Sequence, residues 1–153
     1  MNLFLKTVRM KKYIIFNLAL VALILTSCGN SQNTTETPEK EVSKAELTVS
    51  PEDFPSDPVT IEGAVIEGNI MTIKASYSGG CAEHEFKLLG LTAISKSIPP
   101  QRQITLSHNA NGDNCREYIT EELSFEISAF GIKEGDPIVL QLAGWSEDLT
   151  YTP

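Results

Sequence analysis

From Pro58 to the C-terminus, apolar and polar residues alternate with a period of two, the signature of half-buried strands. Val59, Ile61 and Val65 lie mostly on one side of a first strand. The turn Glu67-Gly68-Asn69 then leads into a second strand, in which Met71, Ile73, Ala75 and Tyr77 alternate. His84, Phe86 and Leu88 define a third, Ile104, Leu106 and His108 a fourth, Leu123, Phe125 and Ile127 a fifth, and Ile138, Leu140 and Leu142 a sixth. Turn formers punctuate the gaps: Ser78-Gly79-Gly80, Pro99-Pro100, Asn111-Gly112-Asp113 and the run Lys133 to Pro137. Such spacing predicts an all-β domain over residues 58–153, a small antiparallel immunoglobulin-like β-sandwich, with a small barrel as the alternative. Residues 114–122 are the one stretch that allows a turn or two of helix.

Upstream the pattern is different. Residues 28–57 are rich in Ser, Thr, Asn, Glu and Pro and show no aliphatic period, the composition of a disordered linker. Leu47 and Val49 alternate briefly and could form a short edge strand within it. About 29 flexible residues have a root-mean-square span of about 30 Å, enough to act as a spacer. Residues 1–27 have the layout of a secretion signal, with Lys6, Arg9, Lys11 and Lys12 ahead of an apolar run from Tyr13 to Thr26. As a helix that run would be about 21 Å long, short of a hydrocarbon core of about 30 Å. Met10, directly before two lysines, is a second plausible start. Leu25-Thr26-Ser27-Cys28 resembles the lipobox of bacterial prolipoproteins. That resemblance implies that Cys28 is acylated with diacylglycerol and palmitate-type chains and becomes the first mature residue. It places the protein in the cell envelope, lipid-anchored to the outer membrane and either periplasmic or surface-exposed.

Charge narrows the partners. All 20 acids follow residue 27, whereas four of the 12 bases precede it, so the mature chain sets 20 acids against eight bases, a net charge of −12. Such a surface is repelled by phosphate backbones, and nucleic-acid binding is excluded. Partners are then the membrane, through the N-terminal lipid, and an unidentified protein or small ligand. No phosphate-binding loop, nucleophile elbow or H-E-x-x-H helix is present, and no carboxylate pair is placed for acid–base work. The expectation is a non-enzyme.

The residues with chemistry are Cys81, His84, His108, Asp113 and Cys115. Once Cys28 is lipidated, Cys81 and Cys115 are the two remaining thiols in a compartment where disulfides persist, and each follows a Gly-containing turn. A disulfide closing this loop would stabilise by roughly 3–4 kcal/mol. The rival is a zinc or copper site on His84, His108 and Asp113, with both sulfurs as thiolates. Compartment and spacing favour the disulfide, with no cofactor. Gly79-Gly80 reads as a tight turn or bulge beside Cys81, and Trp145 as a core or edge-packing residue.

Ile104 to Asp113, followed by Leu123 to Ser128 and Ile138 to Leu142, resembles the C-terminal half of NigD-like lipoproteins: a strand into a His-Asn turn, then a Phe-acid-Ile-Ser strand. Here Glu126 stands where that pattern has Asp, and Gly79-Gly80-Cys81-x-x-His84 is not part of it. The resemblance covers about a quarter of the chain and implies an immunoglobulin-like sandwich on a lipoprotein, with no enzymatic activity. The sequence thus predicts an anchored, non-catalytic binding or accessory module. The alternatives are a metal-binding envelope protein using His84 and His108, and an inhibitor of secreted hydrolases.

Overall fold

The computed structural model describes residues 41–153. The signal expected over residues 1–27, the anchor at Cys28 and the linker as far as Lys40 lie outside them. Nine strands form two sheets packed face to face. They are β1 (Val42–Lys44), β2 (Glu46–Thr48), β3 (Thr60–Glu67), β4 (Ile70–Gly79), β5 (Glu85–Leu91), β6 (Gln101–Asn109), β7 (Glu117–Glu126), β8 (Ile138–Leu142) and β9 (Leu149–Tyr151). One sheet has the order β1-β7-β4-β3 and the other β2-β5-β6-β8-β9. The six apolar runs of the sequence become β3 to β8, and the fold is an all-β sandwich. Its sheets are mixed: β1 runs parallel to β7, β2 to β5 and β6 to β8, while the other pairs are antiparallel.

The core follows from the period. Met71, Ile73 and Ala75 of β4 and Phe125 of β7 face Leu88, Ile104, Leu106, Ile138, Leu140 and Leu142 of the second sheet, and all are buried. Each such aliphatic or aromatic side chain stabilises by roughly 1.5–3 kcal/mol relative to exposure. Phe130 and Tyr151 are buried in the same cluster.

Two expectations are corrected. Residues 114–122 hold no helix: Glu117 onward is strand, paired residue by residue with β4 from Gly79↔Glu117 to Ile70↔Glu126. Tyr118, Ile119 and Thr120 are aromatic or β-branched, and ten ladder pairings outweigh any local helical tendency of the Glu pairs. The linker expected up to residue 57 also ends sooner. Val42 to Thr48 crosses from the edge of one sheet to the edge of the other, and buried Ala45 at the crossing donates its N–H to Glu126 O at 2.9 Å. Pro51–Asp53 form a 3-10 turn, and residues 55–57 are tied to β6 through Ser107 Oγ to Pro55 O, Asp57 N to His108 O and Ala110 N to Asp57 Oδ2. The ladder positions come from β5, β6 and β7, so a polar segment without an apolar period of its own is held by neighbours remote in sequence.

Candidate functional site

The loops after β4 and before β7 meet at one end of the sandwich. Cys81 and Cys115, 34 residues apart, lie at disulfide-bonding distance with Cα atoms 5.8 Å apart. Asp113 fastens both loops. Its Oδ1 accepts the N–H of Cys115 at 2.8 Å, and its Oδ2 accepts the N–H groups of Cys81 and Ala82 at 2.8 and 2.9 Å. Its side chain is fully buried. The donated N–H groups, that of Cys115 first and that of Cys81 next, hold its carboxyl well below the usual carboxylate range.

From Asp113 a chain of hydrogen bonds runs inward. His84 Nε2 lies 3.3 Å from Asp113 Oδ2, His84 Nδ1 lies 2.8 Å from His108 Nε2, and His108 Nδ1 faces the carbonyls of Pro58 and Asp57 at 3.1 and 3.3 Å. Both imidazoles are almost completely buried. The two ends of this chain, an ionised carboxylate and peptide carbonyls, only accept. Each of the four ring nitrogens faces one of these partners.

The surroundings make room for this arrangement. A Cβ at position 79 would lie 2.5 Å from His84 Nε2 and 3.2 Å from Asp113 Oδ2, so only glycine lets the ring sit there. Gly80 follows with φ +112°, which turns the chain toward Cys81. Phe86 stacks on His108 at 4.6 Å between centroids, and Tyr77 packs on His84, also at 4.6 Å. Tyr77 Oη donates to Glu121 Oε2 at 2.9 Å. Burial, reinforced by that carboxylate, pushes the Tyr77 hydroxyl up to about 12.

Next to this cluster the two sheets part. A groove of about 390 Å³ opens between β5 and β7, with Glu41, Ser43, His84, Phe86, Glu121 and Leu123 among its walls. A second depression, of about 660 Å³, lies against Pro58, Ser76, His108 and Tyr118.

The sequence-predicted residues thus converge in two linked groups, Cys81 with Cys115, and His84 with His108 and Asp113; Cys28 lies outside the described residues. The second group is a hydrogen-bonded chain in which every ring nitrogen already faces a partner. An ion on the imidazoles would have to displace one of those links. The sulfurs and a carboxylate oxygen of Cys81, Cys115 and Asp113 lie within 4.8 Å of one another, but ligation there requires both thiols reduced. Sequence reasoning missed the role of Glu121. Read as strand, residues 117–126 put Glu121 in phase with Leu123 and Phe125, where it stays exposed while its carboxylate accepts from Tyr77 Oη.

A two-sheet sandwich with a stapled, internally satisfied polar end defines the class of protein. No family model matches the chain, and no curated protein matches it significantly. Among solved structures, it is similar to a NigD-like immunity protein from Bacteroides caccae (TM-score 0.55, 15% identity, 74% of this chain and 65% of that one). It is also similar to a putative toxin-related protein from Parabacteroides distasonis (TM-score 0.51, 20% identity, 74% and 60%). A protein of unknown function from Bacteroides vulgatus matches with TM-score 0.50 and 14% identity over 72% and 56%. The chain therefore spans between 56% and 65% of the length of these proteins. At such identities the likeness shows the fold.

Proposed function

We propose that the protein is a lipoprotein of the cell envelope, anchored through Cys28 to the outer membrane, whose sandwich is a non-catalytic binding or accessory module. The observation that carries the non-catalytic part is the saturation of the polar cluster. Asp113 is engaged by three backbone N–H groups and His84, the imidazoles by each other and by carbonyls, and Tyr77 by Glu121. A catalytic base or nucleophile needs a free atom within reach of substrate. Here the groups of that chemistry are spent on holding loops in place beside an open groove. The neighbours in fold, an immunity protein and a toxin-related protein among them, are named as something other than enzymes, which supports this reading.

The test has two arms. Cys28→Ser should abolish palmitate labelling and release the protein from the membrane fraction; membrane association unchanged by the substitution would refute the anchor. The mature chain, immobilised and exposed to native envelope extract, should retain a partner, and the substitution Phe86→Glu in the groove should reduce that capture. Turnover of an envelope substrate by the purified chain would refute the non-catalytic reading.

A further inference from the structure

We infer that the second depression, beside β4, is a saccharide site, which takes a neutral pyranose against the ring of Tyr118 and hydrogen-bonds its hydroxyls through Asp57 and Arg116. The depression shares no lining residue with the groove between β5 and β7, so this site is additional to the one proposed for a partner there.

The fold opens the depression where β3 leaves β4. The two strands are paired from Glu67↔Ile70 up to Thr60↔Ser76. Upstream of Thr60 the chain belongs to the other sheet, where Ser56 bridges His108 and the Asp57 N–H donates to His108 O. Tyr77, Ser78 and Gly79 of β4 therefore have β7 on one side and, among the described residues, no strand on the other. Successive residues of a strand direct their N–H and C=O to opposite sides, so at least one of the three turns both groups to the unpaired side. The volume of about 660 Å³ lies within the roughly 300–1,000 Å³ of small-ligand sites.

Tyr118 supplies the platform. It is 70% exposed and takes no part in the core, yet its hydroxyl is fixed. That hydroxyl donates to Glu62 Oε1 at 3.0 Å, and the same oxygen accepts from Ser76 Oγ at 2.6 Å. The ring is thus tethered at its far end and open to solvent along its length. Ser78, also exposed, is its direct partner across the ladder, which brings a hydroxyl beside the ring. Arg116 lines the depression, is exposed, and makes no hydrogen bond or ion pair among the described residues. Asp57 uses Oδ2 for the Ala110 N–H at 2.7 Å and keeps Oδ1 for a further donor.

This set of groups selects the ligand. A pyranose has a face of C–H groups that lies on an aromatic ring, and a rim of hydroxyls that both donate and accept. Arg116 only donates, the Asp57 carboxylate only accepts, and Ser78 does both. A phosphorylated or carboxylated ligand would meet the carboxylates of Asp57 and Glu62, and an apolar one would strip water from Arg116 and Asp57 without replacing it. An added peptide strand would find an edge of three residues, too short to hold it.

The probes are the methyl glycosides of glucose, galactose, mannose and N-acetylglucosamine, each titrated into the 15N-labelled mature chain. At least one should bind in the millimolar range and shift the amides of residues 57–60, 76–79 and 114–118, leaving those of 85–88 in place. Tyr118→Ala should weaken that binding at least tenfold, whereas Tyr118→Phe, which keeps the ring and loses the link to Glu62, should weaken it only a few-fold. Arg116→Gln should weaken it several-fold at an unchanged melting temperature. Mannitol, which offers hydroxyls without a ring, should not bind. Absence of shifts with all four glycosides at tens of millimolar, an equal response to mannitol, binding that survives Tyr118→Ala, or a tenfold preference for methyl glucuronide overturns the inference. A partner retained from envelope extract and lost on Phe86→Glu, with no glycoside bound, overturns the saccharide site and leaves the binding-module reading standing. Glycoside binding with no retained partner does the reverse for the groove and upholds the saccharide site.

Discussion

The covalent link between Cys81 and Cys115 closes a 34-residue loop that contains β5, the following turn and β6. Replacing both cysteines by alanine leaves native packing almost untouched, because Cys81 is exposed and Cys115 half-buried. Its effect falls chiefly on the unfolded chain, which regains the freedom the link removed. The loop-entropy expression gives about 3.8 kcal/mol for 34 residues at 25 °C. For a domain of this size that corresponds to a fall in melting temperature of roughly 15 °C. Asp113 clamps the same two loops through Cys81, Ala82 and Cys115 N–H, which alanines retain, so Asp113→Asn should cost about as much in the cysteine-free chain as in the parent. Calorimetry and urea unfolding of parent, Cys81→Ala, Cys115→Ala and the double variant measure this, the double variant being no worse than either single one. Intact mass should lie about 2 Da below the fully reduced value. Two free thiols with stoichiometric zinc or copper, or a double variant melting within about 3 °C of the parent, would refute the reasoning.

Gly79→Ala should lower stability by about 1–3 kcal/mol, measured by urea unfolding, because the new methyl overlaps a His84 ring fixed by hydrogen bonds at both nitrogens. The depressed Asp113 carboxyl contributes stability that is present above its unfolded value of about 4 and lost as pH falls below that toward its lower folded value; Asp113→Asn should flatten the pH dependence of melting below about pH 4. Trp145 Nε1 is buried with no partner among the described residues, so Trp145→Phe should be neutral or stabilising by up to about 1 kcal/mol in the same assay. A chain beginning at Pro58 loses β1 and β2 and should unfold at lower urea than one beginning at Glu41, by a few kcal/mol at about 1 kcal/mol per ladder hydrogen bond.

Strands β3 to β8 were legible because each carries its own alternation, which a buried face imposes on the sequence. β1 and β2 were not, beyond a hint at Leu47, because three-residue strands hold too few buried positions to show a period; of Val42 to Thr48 only Ala45 is buried. Residues 114–122 read as a possible helix because Glu121 and Glu122 interrupt the apolar phase just where the sheets part. Arg102 gave no signal either. Its position between two glutamines looks like surface, yet it is buried and donates to Phe130 O at 3.1 Å and to Leu91 O. The candidate site was visible as a set of residue types, since Cys, His and Asp beside glycine turns stand out in a chain with two histidines. The links among them depend on β4, β5, β6 and β7 meeting at one end, which no local pattern encodes.

Those links explain why a small domain keeps two imidazoles and a carboxylate where aliphatic side chains would pack. An apolar end would leave the two loops joined by the disulfide, and residues 55–57 held by their hydrogen bonds to Ser107, His108 and Ala110, with no polar link between the loops and that segment. Asp113 binds both loops, His84 and His108 carry the connection inward, and the carbonyls of Asp57 and Pro58 receive it. Because each member is satisfied only when the next is in place, the polar links among the three segments form cooperatively. Tyr77 packs against both imidazoles and passes the constraint to Glu121 on the groove side.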